Sequence, residues 1–199
     1  MAFNELKLNQ DKTELLIIHS SYCFCPSLSC LRVGDVEVVP MKAASSASNL
    51  GVVFDDTMSF KSRITDVCKS SFYHVRNISR IRKYLTREAT EIVVHAFVTS
   101  KLDYCNSLLY GLPKFLIAKL QSVQISAACL VCKTRKFDHI TPTLIDLHWL
   151  PIRHRIVFKI LLLVYKSLNA KASSYLSDLL TYRRVGARIL CDRLVMVTL

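Results

Sequence analysis

The spacing of apolar residues changes near Phe60, and this change limits the possible folds more than any other feature of the sequence. Before it, short β-favouring runs alternate apolar and polar side chains, as strands with one buried face do. After it, apolar residues such as Ile64, Val67 and Cys68 recur with a spacing near 3.6, which places them on one helix face. The sequence therefore predicts an α+β protein, mostly α, with its strands within residues 1–60.

Three segments of the first part are predicted strands. They are residues 13–20 (TELLIIHS), residues 31–39 (LRVGDVEVV), which would fold as a hairpin around Gly34 and Asp35, and residues 48–54 (SNLGVVF). The small and polar segments between them, SSYCFCPSLSC and MKAASSAS, are predicted loops.

Three amphipathic helices are predicted next. The first follows Phe60, Thr86 caps a second that ends by Gly111 and Pro113, and the third covers residues 113–132. The residues expected to face inward are Ile64, Val67, Cys68, Phe72, Val75, Ile78 and Ile81 in the first helix, Ala89, Ile92, Val93, Ala96 and Phe97 in the second, and Leu116, Leu120, Val123, Ala127 and Leu130 in the third.

Proline positions mark the remaining helices. Thr141 should cap a fourth helix, with Pro142 at its first helical position. Pro151 should open a fifth helix that runs to about residue 168, and a short last helix covers residues 174–180.

Basic residues are concentrated after residue 60. Residues 1–60 hold four Lys/Arg against seven Asp/Glu, a net −3, whereas residues 61–199 hold 23 against 8, a net +15. No acidic residue lies between Leu147 and Ser177, where five cations occur. Such a surface favours nucleic acid or acidic membranes, although an ordinary solvated helical surface fits the charge equally well.

The N-terminal sequence MAFNELKLNQDKTE lacks the apolar core of a secretory signal, which predicts an intracellular protein of the nucleus or cytoplasm with reduced cysteines. The apolar run at residues 156–164 (IVFKILLLV) is about half the length that spans a bilayer, and it contains Lys159. Neither a membrane partner nor a small-molecule substrate is expected.

The segment LGVVFDDTMSF places Asp55 and Asp56 after an aromatic residue, as in the metal-binding box of a polymerase. Two-metal catalysis needs carboxylates from separate strands, and no upstream acid follows a clear long apolar strand, apart from Asp35 in a predicted turn. In a YxDD box one residue separates the aromatic from the aspartates, whereas Phe54 precedes Asp55 directly. The pair is therefore predicted to form a polar turn that leaves a strand.

Cys129 and Cys132 form a CxxC pair that His139 and His148 follow, a pattern consistent either with a zinc site or with simple burial. Structural zinc normally has four ligands with a second close pair, and small buried cysteines explain this pair better. A metal site at Cys23, Cys25 and Cys30 is a weaker alternative. The sequence contains neither a G-x-S-x-G elbow nor a glycine-rich phosphate loop, so no metal-binding or catalytic residue is assigned.

Six segments, taken in order, carry a resemblance to a known family. They are LKLNQDKTELLII, NLGVVFDDTMSFKSRI, RKYLTREATEIVVHAFVTSKLDYCNSLLYGLP, LQSVQISAACLV, KFDHITPTLIDLHWLPIRHRIVFKILLLVYKSLN and SYLSDLL. Together they resemble the C-terminal part of reverse transcriptases of LINE-type (non-LTR) retrotransposons, over residues 6–180. The resemblance implies a palm-edge remnant in residues 1–60, a thumb and post-thumb region in residues 61–180, and a divergent tail in residues 181–199.

The resemblance also implies roles for individual residues. Lys12 matches a lysine near the phosphates of the incoming nucleotide, and Leu50, Gly51 and Val52 match a segment that supports the 3′ end of the primer. The residues expected to bind the primer-template duplex are Arg76, Arg80, Arg82, Lys83, Arg153, Arg155 and Lys159.

The family's first catalytic aspartate and its YxDD box lie upstream of the matching segments. The chain is therefore expected to be a truncated RNA-directed DNA polymerase fragment that is not an enzyme by itself and has no cofactor, although the family uses Mg²⁺. Residual binding of a primer-template duplex is its expected activity. The alternative is a mobile-element relic without biochemical activity.

Overall fold

The computed structural model describes residues 16–18, 31–33, 36–38, 46–134, 138–180, 184–185 and 188–189. Within these residues the protein is mostly helical with short antiparallel strand pairs, which confirms the predicted α+β, mostly α, class. The helices are α1 (Lys61–Ile81), α2 (Arg87–Val94), α3 (Ser100–Asp103), α4 (Lys114–Cys132), α5 (Ile140–Asp146), α6 (Ile152–Leu168) and α7 (Ser174–Asp178).

The described strands form three antiparallel pairs. They are β1 (Leu31–Val33) with β2 (Val36–Val38), β3 (Ser46–Asn49) with β4 (Val52–Asp55), and β5 (Arg184–Val185) with β6 (Arg188–Ile189). The first pair confirms the hairpin predicted at residues 31–39. Residues 16–18, which belong to the predicted strand at 13–20, are not in a strand, and the rest of that segment lies outside the described residues.

The strand predicted at residues 48–54 is wrong, because the chain reverses within it. Leu50 and Gly51 have φ angles of 48° and 73° and form a two-residue turn between β3 and β4. Both positions of such a turn need a positive φ, which favours Asn or Gly, so Leu50 gave no turn signal. The loop predicted for MKAASSAS is wrong at Ser46–Ser48, which lie in β3.

α1 forms as predicted, and its buried stripe is nearly the predicted one. Ile64 and Ile78 are buried, and Val67, Cys68 and Val75 pack against the core. The remaining two members of the predicted face, Phe72 and Ile81, are exposed because they lie at opposite margins of the stripe.

Thr86 caps α2 as predicted, since its Oγ1 accepts a hydrogen bond of 3.1 Å from the backbone N–H of Ala89. The predicted inward face is wrong: Ala89 and Val93 are partly buried, and the other three members are exposed. A π-helical turn, His95–Thr99, joins α2 to α3 and lengthens the repeat. The buried residues therefore recur at a spacing of four: Thr90, Val94, Val98 and Leu102.

α4 is the central helix, and α1, α2, α5 and α6 pack against it. Leu116, Leu120, Val123 and Ala127 are buried as predicted, and Leu130 is partly buried against the core. Among the described residues, α4 is also the helix long and apolar enough to cross a membrane. Its role as the packing centre explains this composition.

Of the last three helices, α5 and α7 each depart from prediction at one end, whereas α6 has the predicted bounds. α5 begins at Ile140 with His139 before it, so Thr141 is not the cap, and Pro142 lies within the first turn, where a missing N–H costs nothing. Pro151 opens α6 as predicted, and α7 lies within the predicted last helix. Leu147 and Trp149 in the intervening segment complete the core.

Candidate nucleic-acid interface

Asp55 is the last residue of β4, and Asp56 lies in the turn that follows, in agreement with the predicted polar turn leaving a strand. The Asp55 carboxylate accepts hydrogen bonds from the Ser59 hydroxyl and from the backbone N–H of Phe60, the latter at 3.2 Å. Burial raises the pKa of Asp55, but these hydrogen bonds together outweigh burial and leave the pKa below its usual value. The carboxylate thus fixes the chain where α1 begins.

The predicted primer-support residues form the tip of the β3–β4 hairpin. Leu50 is 83% exposed, Gly51 is exposed and Val52 is buried in the core. The hairpin tip is attached to the helices, because the Tyr104 hydroxyl donates a hydrogen bond to the Leu50 carbonyl. Tyr104 is attached in turn to α1, since Arg63 donates a 2.7 Å hydrogen bond to its carbonyl oxygen.

Four exposed cations lie in a row along the outer side of α1 and the 3₁₀ turn after it. This row, called the α1 basic row below, consists of Lys69, Arg76, Arg80 and Lys83. At 1.5 Å per residue, Lys69 and Arg80 are about 17 Å apart along the helix axis. No acidic residue occurs between Asp66 and Glu88, so the sequence within the row contains no negative charge.

Two tyrosines are interleaved with this row. Tyr73 and Tyr84 are 60% and 77% exposed, and the ammonium of Lys83 lies 4.7 Å from the centroid of the Tyr84 ring. Lysine and arginine side chains bind the phosphates of a nucleic-acid backbone, and exposed aromatic rings stack on its bases. A surface that carries both is therefore suited to bind nucleic acid. Lys69 and Tyr73 were not among the predicted site residues, although their spacing from Arg76 and Arg80 already placed them on one face.

Arg82 does not belong to this surface, because the residue is only 9% exposed and its guanidinium bonds to the end of α4. It donates hydrogen bonds of 2.9 Å to the carbonyls of Leu130 and Val131 and one of 2.8 Å to that of Leu85. Carbonyls in the last turn of a helix lack helical partners and carry the negative end of the dipole. Arg82 therefore stabilises the fold.

The three predicted α6 cations also differ in their surroundings. Arg155 forms an ion pair with Asp103 at 2.8 Å and donates a 2.8 Å hydrogen bond to the Leu150 carbonyl. Arg153 and Lys159 are exposed. Since Arg155 joins α6 to α3, the cations of α6 that remain free to contact a ligand are fewer than the sequence indicated.

No group of three His, Cys, Asp or Glu side chains in the described residues is placed to hold a metal ion. Cys129 and Cys132 are partly buried thiols, and burial raises the pKa of Cys132. His95 packs its ring edge-on against Trp149 at 5.2 Å. Lys12, Cys23, Cys25 and Cys30 lie outside the described residues.

Comparison of the chain with protein-family models, curated proteins and solved structures finds no match. The relationship to non-LTR reverse transcriptases therefore stays a prediction from the order of the six sequence segments.

Proposed function

We propose that this chain is a reverse-transcriptase fragment from the region after the catalytic centre, and that it binds a nucleic-acid duplex through the α1 basic row. The exposed row of Lys69, Arg76, Arg80 and Lys83 carries the proposal. The palm-edge and thumb assignments of residues 1–60 and 61–180 rest on the order of the sequence segments. In this arrangement the β3–β4 hairpin would lie beside the 3′ end of the primer.

The chain is proposed to supply no polymerase chemistry of its own. Asp55 is engaged by Ser59 and Phe60 at a helix start, and the described residues hold no converging set of carboxylates. Phosphoryl transfer needs such a set to hold two metal ions. Magnesium-dependent primer extension by the purified chain would contradict this part of the proposal.

Binding through the α1 basic row has a defined salt dependence. Four phosphate contacts give a log–log slope of about −3.6, so affinity for duplex DNA should fall about 150-fold between 50 and 200 mM salt. The double variant Arg76→Gln/Arg80→Gln should reduce the slope to about −1.8 and the fall to about 12-fold. Fluorescence anisotropy of a labelled primer-template duplex measures both quantities.

A second double variant provides a control of equal charge. Arg153→Gln/Lys159→Gln removes two exposed cations from α6 and should change the slope less than the α1 variant does. If the two variants lower the slope equally, the duplex is attracted by the net charge of the protein alone and not by the α1 basic row. Binding that is absent or insensitive to salt would favour the relic without biochemical activity.

A further inference from the structure

The face of α6 opposite the core is apolar. Phe158, Leu161, Tyr165 and Leu168 follow one another at intervals of three and four residues, and all four are exposed, Leu161 at 61%. This spacing forms a single stripe along the helix, with the pattern of one side of a coiled coil. The opposite side of α6, with Ile152 and Ile156, is already buried in the core. A helix with two apolar sides normally packs on both.

A cavity of about 580 Å³ lies beside this stripe, between α6 and the start of α4. Its apolar walls include Leu109, Leu112, Ile117 and Val157. Val157 lies one helical turn before Leu161 on the same side of α6, so the cavity adjoins the stripe. Cavities of this kind accept an aromatic or aliphatic anchor from a helix that lies along the neighbouring surface.

Three cations lie beside the cavity and the stripe. Lys114 and Arg153 line the cavity, and the ammonium of Lys171 lies 5.7 Å from the centroid of the Tyr165 ring in the stripe. None of these three side chains forms an ion pair with an acidic residue in the described part of the chain. A second copy of the chain would bring like charges together here, whereas a helix with acidic margins would neutralise them.

We propose that the α6 stripe and the adjoining cavity form a docking groove for an amphipathic helix of another protein, with an apolar face and acidic margins. The stripe supplies the apolar seam, and the cavity receives one large side chain. The surrounding lysines and arginine select acidic flanks. This site is separate in sequence from the α1 basic row.

A pair of synthetic helices tests the proposal. Each is about three heptads long with leucine at the seam and a central phenylalanine, one flanked by glutamate and the other by lysine. The full chain should bind the glutamate helix in fluorescence anisotropy, and the lysine helix at least about 10-fold more weakly. Arg76→Gln/Arg80→Gln should leave this binding unchanged, which separates it from duplex binding.

Leu161→Ser should weaken binding of the glutamate helix about 10-fold or more. Ile92→Ser, which alters an equally exposed apolar residue on α2, should have no effect. Phe158→Ser provides a second test of the groove if Leu161→Ser loses the helical circular dichroism of the parent chain.

Four results would overturn the proposal. They are equal binding of the two helices, unchanged binding by the groove variants, a concentration-dependent dimer in sedimentation that Leu161→Ser removes, and co-sedimentation with phosphatidylserine vesicles that Leu161→Ser removes. The last two would assign the groove to a second copy of the chain and to a lipid surface, respectively.

Discussion

Replacing Arg82 by alanine should destabilise the fold without weakening duplex binding. The buried guanidinium makes three hydrogen bonds, of which two reach the last turn of α4. A hydrogen bond to a charged group contributes about 1.5–3 kcal/mol, and bonds made by one group are not additive. The expected loss in free energy of unfolding is therefore about 3–5 kcal/mol, close to the cost of removing one partner from a buried ionic contact.

For a chain of this size, such a loss lowers the melting temperature by about 6–20 °C. Thermal melts followed by the helical signal in far-ultraviolet circular dichroism provide the assay. Arg80→Ala is the matched control, since Arg80 lies two residues before Arg82 but is exposed, and it should change stability by about 0.5 kcal/mol or less. Arg82→Lys should be intermediate, because an ammonium cannot reproduce the planar fork.

At temperatures below the melting transition, the effects of the two variants on duplex binding should be the reverse of their effects on stability. Arg80→Ala should weaken binding and lower the salt slope by about 0.9, whereas Arg82→Ala should leave both unchanged. Melting temperatures of the two variants within about 2 °C of each other would refute the structural role given to Arg82.

Three further substitutions test other parts of the structure. Asp55→Ala should cost about 1 kcal/mol at neutral pH, because it removes the carboxylate that bonds to the Ser59 hydroxyl and the Phe60 N–H. Because the pKa of Asp55 is lowered, the difference from the parent should decline as pH falls below about 4 and through the folded-state pKa, and a constant difference would contradict the role of the ionised carboxylate. Leu50→Asn should raise the free energy of unfolding in urea by about 1 kcal/mol, since asparagine tolerates the positive φ at this position. A lower free energy of unfolding would show that the Leu50 side chain makes stabilising contacts in the folded chain. Gln124→Leu should cost about 2 kcal/mol, because it removes the 2.8 Å hydrogen bond to the Leu150 carbonyl and the acceptor for Gln121; an unchanged urea midpoint would refute this.

Local patterns in the sequence predicted the helices well, because the information for a helix lies within a few residues. Thr86 and Pro151 start helices where their side chains predict, and the spacing from Ile64 to Ile78 indicated which face of α1 is buried. The face of α2 was wrong because its buried stripe begins at Thr90, a polar residue that an apolar pattern does not count. The π turn at His95–Thr99 then shifts the register after Val94, and no residue type marks such a turn.

The candidate site was harder to predict because exposure depends on contacts distant in sequence. Arg80 and Arg82 are the same residue type two positions apart, yet Arg80 faces outward, whereas Arg82 donates hydrogen bonds to carbonyls 48 and 49 residues along the chain. Likewise, the five cations of residues 148–176 indicated a basic α6 surface. The structure instead gives the exposed side of α6 an apolar stripe.

The two buried arginines at the ends of α1, Arg63 in its first turn and Arg82 just after its last residue, also affect how the chain folds. Arg63 bonds to a carbonyl 41 residues away and Arg82 to carbonyls 48 and 49 residues away, one near each end of the helix. α1 can form early from local interactions, but these bonds need a formed α4 end and a formed segment after α3. Closing such long loops is favourable only when the partner carbonyls are already in place. The helices should therefore unfold in one cooperative transition, and α1 and α4 should exchange their amide hydrogens at closely similar rates.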